Sequence, residues 1–242
     1  MATTEVNLAN PHEYDHKHAN IQNGWLRAAV FGAMDGLVSN IGLIAGIAAA
    51  GAAPHVVLVT GTAGLLAGSV SMALGEYTSV RAANEQLDKE VAVEAAALKR
   101  NPTGEEMELA QEFVGLGMSA QTAQIAAKEV HRNQDKALQV HLAHELGLTV
   151  EDRNSPWVAA FSSFFSFSAG AIIPILPYIF GFGTLVWGLI LGAIGLCVTG
   201  AFSAHFAKRN LFRGALRQLL LGGIAVGVTY AIGMIFDVST AG

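Results

Sequence analysis

An aspartate, Asp35, stands inside FGAMDGLVSNIG (residues 31–42), a stretch otherwise built of apolar and small residues. In a membrane-spanning segment an ionised carboxylate costs about 2.5–3.5 kcal/mol on insertion scales, so such a residue is a functional candidate by default. A second stretch, SMALGEY (71–77), carries Met72 and Glu76. A carboxylate and a thioether at one depth suit a transition-metal ion better than calcium or magnesium, because hard cations gain little from sulfur. Met34 could supply a second thioether. Further along, Glu90, Glu94, Glu105, Glu108 and Glu112 recur beside His131, His141 and His144. Carboxylate and imidazole donors suit ferrous iron, manganese or zinc, and affinity alone does not select among them. For any single glutamate a solvated acidic face is the competing reading. His12, His16 and His18 add possible donors in the N-terminal tail.

The elements that must position these groups follow from composition. Of 242 residues, 52% are hydrophobic and 14% charged, against about 25% charged in average soluble domains. The balance points to an all-α membrane protein, and the net charge of −5 offers no footing for nucleic acid. The 27 glycines suit closely packed membrane helices. A lone Cys197 excludes an internal disulfide. Residues 1–24 form a polar tail without the layout of a signal peptide, so the first span is expected to be retained. Five apolar stretches reach the roughly 20 residues a crossing needs: 28–50, 56–80, 156–180, 183–206 and 214–236. The division expected is therefore the tail, spans one and two within 25–81, a charged block at 82–155, and spans three to five within 156–242. The block holds 13 of the 19 acidic residues.

With five spans, all 14 lysines and arginines fall on one side. The positive-inside rule puts that side, with the N-terminus and the acidic block, in the cytosol. Depth follows from the helical rise: Asp35 lies about 12 Å in from Arg27, Met72 about 13 Å from Arg81, and Glu76 about 7 Å. Asp35 and Met72 are thus expected at one level, with Glu76 nearer the cytosolic mouth. Small residues recur at i, i+4 (Gly32/Gly36, Gly42/Gly46, Gly64/Gly68, Gly188/Gly192, Gly223/Gly227), a pattern that permits close helix contact and often dimerisation.

Within the block, residues 82–100 continue span two as a helix with Leu87, Val91 and Leu98 on one stripe. Asn101-Pro102 breaks it. Thr103 and Glu106 have the spacing of a capping box opening the next helix. On that helix Glu105, Glu108 and Glu112 share one face, and Leu109, Phe113 and Leu116 the other. Gly115 and Gly117 end it, Ser119 can cap a third helix to about Asn133, and a stretch at 135–146 sets His141 and Glu145 one turn apart.

The ordered set FGAMDGLVSNIGLIAG, SMALGEY, NP-x-x-E-x-x-E (101–108), HELGL (144–148), PILPY (174–178) and GALRQLLLGG (214–223) resembles the vacuolar iron transporter family over nearly the whole chain after residue 23. The resemblance implies a five-span homodimer that moves ferrous iron, often manganese too, out of the cytosol in exchange for protons. It implies an ion path between subunits and a cytosolic three-helix domain that collects metal, with no further cofactor. By position, Asp35 matches the family's first-span aspartate and Met72 its pathway methionine; Glu76, nearer the cytosolic mouth, is the expected proton relay. Glu94, Glu105 and Glu108 match domain glutamates. Ala97 stands where another glutamate is common, and His131, with Asp135 one turn on, is set where a methionine is frequent. Glu90 or Glu112 can compensate.

Metal ions, protons and membrane lipid are the expected partners, and a bacterial inner membrane the expected site. A membrane metalloenzyme is disfavoured: no HExxH or Ser/His pair falls in a span, and Asp237 lies at the far end of its span from Asp35. A membrane-anchored metal sensor without transport is the other alternative.

Overall fold

The computed structural model describes residues 24–145, 147 and 153–236. The tail histidines, Asp237 and the 148–152 segment lie outside that set. The described residues are helical: α1 (Gly24–Ala49), α2 (Pro54–Arg100), α3 (Pro102–Gly115), α4 (Ala120–Val130), α5 (Gln134–Glu145), α6 (Pro156–Ile172), α7 (Leu176–Ile179), α8 (Leu185–Phe206) and α9 (Leu211–Ile235). Five apolar helices are long enough to cross a membrane, the third comprising α6, a 3₁₀ turn at Ile173–Ile175, and α7. The turn falls between α6 and α7 because Pro174 and Pro177 each withhold a backbone N–H from the helical ladder. The short links α1–α2 and α7–α8 turn through Gly51 and Gly181, whose φ values of 78° and 83° favour glycine.

α1 is the central helix and touches α2, α6, α8 and α9. Leu37, Ile41 and Ile44 are fully buried along it. The crossing of α1 with α6 is set by Gly36 and Gly170, since a Cβ on either would collide with the other helix's backbone. Gly42 and Gly46 meet Thr229 on α9, and Gly192 receives Ile41. Most of the expected small-residue pairs thus serve contacts within one chain, whereas Gly223 and Gly227 have no neighbour within 4 Å. Leu66, Val70 and Leu74 leave one face of α2 apolar and uncovered. In a bilayer such a face meets lipid or another helix.

α2 runs 47 residues without interruption, about 70 Å at the helical rise. Its second half continues beyond the apolar stretch, buries Leu87 and Leu98, and meets the short helices α3 and α5. Those helices close over Leu109, Ala110, Phe113, Ala123 and Ala127. The expected capping box at Thr103 and Glu106 does not form. α3 opens two residues earlier, at Pro102, and Asn101 caps it by accepting a hydrogen bond from the Gly104 N–H at 3.2 Å. Thr103 is thereby placed inside the first turn. Ser119 does cap α4, accepting from Thr122 N–H at 3.2 Å. α4 ends at Val130 rather than near Asn133, and Asn133 instead caps α5 by accepting from Asp135 and Lys136 N–H. Leu116 is exposed at the end of α3 and not part of its buried face. An Asp88–Arg153 ion pair and a hydrogen bond from Asn84 to the Asn154 carbonyl tie the entry to α6 back onto α2.

Candidate metal-binding sites

Two groups of donors come together, one in the apolar layer and one in the short-helix bundle. The first is a cavity of about 270 Å³ between α1, α2 and α6, lined by Asp35, Ser39, Asn40, Met72 and Phe167 among others. The helical rise explains why: Asp35 on an ascending α1 and Met72 on a descending α2 reach the same level, as the count from Arg27 and Arg81 requires. Gly64 and Gly68, which also line it, leave the room, since a Cβ on Gly68 would run into the Phe167 ring.

Asn40 was not singled out by spacing or composition, yet it is the most constrained polar group in this cavity. It is 2% exposed. Its Nδ2 donates to the Ala171 carbonyl at 2.6 Å. Among the described residues its Oδ1 has no hydrogen-bond partner, and it lies toward Gly64. An amide tied by its nitrogen cannot turn its oxygen away, and a buried unpaired acceptor costs about 1–3 kcal/mol. Asp35, Asn40 and Met72 therefore offer the cavity a carboxylate, a fixed amide oxygen and a thioether. Glu76 is half-buried one turn beyond Met72 and is not among the lining residues.

The second group joins helices far apart in sequence. Glu94 on α2, Glu105 on α3 and His141 on α5 each present a donor atom, and these atoms lie within 4.8 Å of one another. Donors around one ion at roughly 2.0–2.2 Å lie about 3–4 Å apart, so small side-chain adjustments suffice. His141 is fully buried, and its Nδ1 lies 3.3 Å from Glu94 Oε1. Its Nε2 lies 3.0 Å from His131 Nε2. Burial first, and then His141, push the His131 imidazole below the ordinary histidine range, with Glu106 and Glu105 pulling the other way. The uncharged form of His131 is thus favoured.

Of the expected domain donors, Glu94 and Glu105 meet, and His131 stands beside the group, in contact with His141. Glu108 and Asp135 are exposed and stand outside this group, as does Glu112. The sequence places His141 beside carboxylates and one turn from Glu145. Its buried position between α2 and α3 is a tertiary fact that a single-helix pattern does not carry.

Five helices long and apolar enough to cross a membrane, with a bundle of short helices appended to the second, define an integral membrane protein. The chain belongs to the VIT family, whose model matches residues 26–234. It is 33% identical over 227 residues to the vacuolar iron transporter of Acanthamoeba castellanii, covering 92% of this chain and 82% of that protein. It is 32% identical over 218 residues to vacuolar iron transporter homolog 1 of Oryza sativa subsp. japonica, covering 88% and 74% respectively. Vacuolar iron transporter 1 of Eucalyptus grandis is 27% identical over 221 residues, covering 90% and 89%. These relatives are named as transporters rather than enzymes. They are eukaryotic, and give the expected bacterial inner membrane no support.

Proposed function

We propose that this protein transports divalent iron, and manganese with it, across a membrane by exchange with protons. The observation that carries the reading is the cavity in which Asp35, Asn40 and Met72 converge within the apolar layer. An ionised carboxylate there is costly unless it has a task, and the names of the relatives supply one: iron transport. A carboxylate binds a metal ion when ionised and a proton when neutral. The two ligands compete for one group, which couples their fluxes. The thioether of Met72 favours softer ions over calcium and magnesium.

The one-sided distribution of lysine and arginine supports a cytosolic placement of residues 82–155, and a domain there would gather metal at Glu94, Glu105 and His141 for export. The uncovered face of α2 beside the cavity supports a homodimer with the ion path along that face. Metal is cargo in this scheme, and no resident cofactor takes part. The vacuolar names of the relatives favour an organellar membrane over a bacterial one.

The test is metal-resolved uptake into proteoliposomes under an imposed proton gradient, comparing wild type with Asp35→Asn at matched reconstitution and orientation. Wild type should carry iron in a gradient-dependent way and Asp35→Asn should not. Undiminished flux in the variant would overturn the pathway, and metal binding without any flux in wild type would make the protein a membrane-anchored sensor.

A further inference from the structure

Each ring nitrogen of the buried His141 has its own partner: Glu94 Oε1 at Nδ1 and His131 Nε2 at Nε2. A neutral imidazole carries one N–H and one lone pair, so the two contacts constrain each other. With the carboxylate ionised and no ion bound, the tautomer that fits turns Nδ1–H toward Glu94 Oε1 at 3.3 Å, and Nε2 accepts from the Nε2–H of His131. An ion seated between Glu94 and Glu105 requires the Nδ1 lone pair, because Nδ1 is the nitrogen facing Glu94. The N–H of His141 must then be on Nε2, where a lone pair on His131 has to receive it. Metal-bound histidines commonly donate their second N–H to an outer group that fixes the tautomer and ring orientation. His131 is placed for that task. It meets His141 at 3.0 Å, but the donor group within 4.8 Å comprises Glu94, Glu105 and His141 without it.

We propose that His131 is a positioning residue and not a ligand: by accepting a hydrogen bond from His141 Nε2–H, it holds His141 in the tautomer that presents Nδ1 to a divalent ion between Glu94 and Glu105. The inference rests on reading that group as a divalent-metal site. Loading then reverses the direction of the His131–His141 hydrogen bond. The His141 Nδ1 proton leaves, the shared proton passes from His131 Nε2 to His141 Nε2, and half-buried His131 takes one from solvent at Nδ1. Both rings stay neutral, and no proton is gained or lost by the pair.

The test uses the full-length protein in detergent, with His12, His16 and His18 replaced by glutamine and substoichiometric zinc as the probe. X-ray absorption counts the imidazoles on the metal, and titration gives the affinity. One imidazole is expected, and it should persist in His131→Leu while affinity falls roughly 10–100-fold, the usual effect of losing an outer-shell partner. His131→Gln, whose amide oxygen can accept the same hydrogen bond, should recover most of that loss. Two imidazoles in the parent, dropping to one in His131→Leu, would make His131 a ligand and overturn the proposal. So would an unchanged affinity in His131→Leu. Zinc bound as tightly and with the same imidazole count in His141→Ala would instead overturn the site itself, a separate outcome because it does not involve His131.

Discussion

Asn40 on α1 donates its amide hydrogen to the Ala171 carbonyl on α6 at 2.6 Å, which leaves its own oxygen fixed toward the cavity that holds Asp35. The donor side of one side chain thus ties two central helices together while its acceptor side is left buried and unpaired among the described residues. This gives a specific expectation. In Asn40→Leu the Ala171 carbonyl loses its partner, but an unpaired buried oxygen is removed at the same time, so the net change in stability should be small against the 1–3 kcal/mol of either effect alone. The metal concentration at half-maximal uptake should rise, and thermal unfolding should move little. Unaltered uptake kinetics, or unfolding that shifts in step with lost uptake, would reduce Asn40 to a structural tie.

The carboxylates of the short-helix bundle should separate into two classes. Glu94, Glu105 and His141 share one buried place, whereas Glu108 and Glu112 are exposed on the far turns of α3. Calorimetric titration of the full chain with manganese should lose its tightest event in Glu94→Gln and Glu105→Gln, while Glu108→Gln changes only weak binding. If Glu108→Gln removes as much as either of the others, the ion sits on the exposed acidic row instead.

Much of this architecture could be read in advance, and the misses have two causes. Span lengths, the continuous second helix and the meeting of Asp35 and Met72 at one cavity depend on hydropathy and helical rise, which are local quantities. The Ser119 cap is local too. The cap of α3 was misplaced because Thr103–Glu106 and Asn101–Pro102 both resemble a helix start, and only the earlier one puts a proline at the first helical position. Asn40 and His141 escaped for a different reason. Their partners lie at Ala171, Glu94 and Glu105, on other helices, and no pattern along one helix reports such a meeting.

His131 also makes the bundle's stability depend on pH. The folded chain holds this imidazole uncharged more strongly than the unfolded chain does, through burial and His141, against the opposing pull of Glu106 and Glu105. A folded-state value below the unfolded one means the unfolded chain binds the extra proton first. Stability is therefore complete above about pH 6.5, the ordinary histidine value, and declines as pH falls below it. In chelator-treated protein, amide exchange in α4 and α5 should quicken from pH 7 to pH 5 after correction for intrinsic rates. His131→Gln should flatten that trend, and an equal trend in the variant would assign it to other groups.

Met72 and Glu76 should fail in different ways. Met72 lines the cavity and cannot exchange a proton, so its contribution is limited to favouring softer ions. Glu76 stands one turn nearer the basic end of α2, outside the lining, where a carboxylate can pass protons without holding the ion. Met72→Ala should admit more calcium relative to iron and leave the pH dependence of transport as it was. Glu76→Gln should flatten that pH dependence and leave the ranking of iron, manganese, zinc and calcium largely unchanged. Initial rates for the four ions at several internal pH values separate the two effects. Loss of selectivity and of pH dependence together in both variants would mean that Asp35, Met72 and Glu76 act as a single unit, with proton and metal handled at one place.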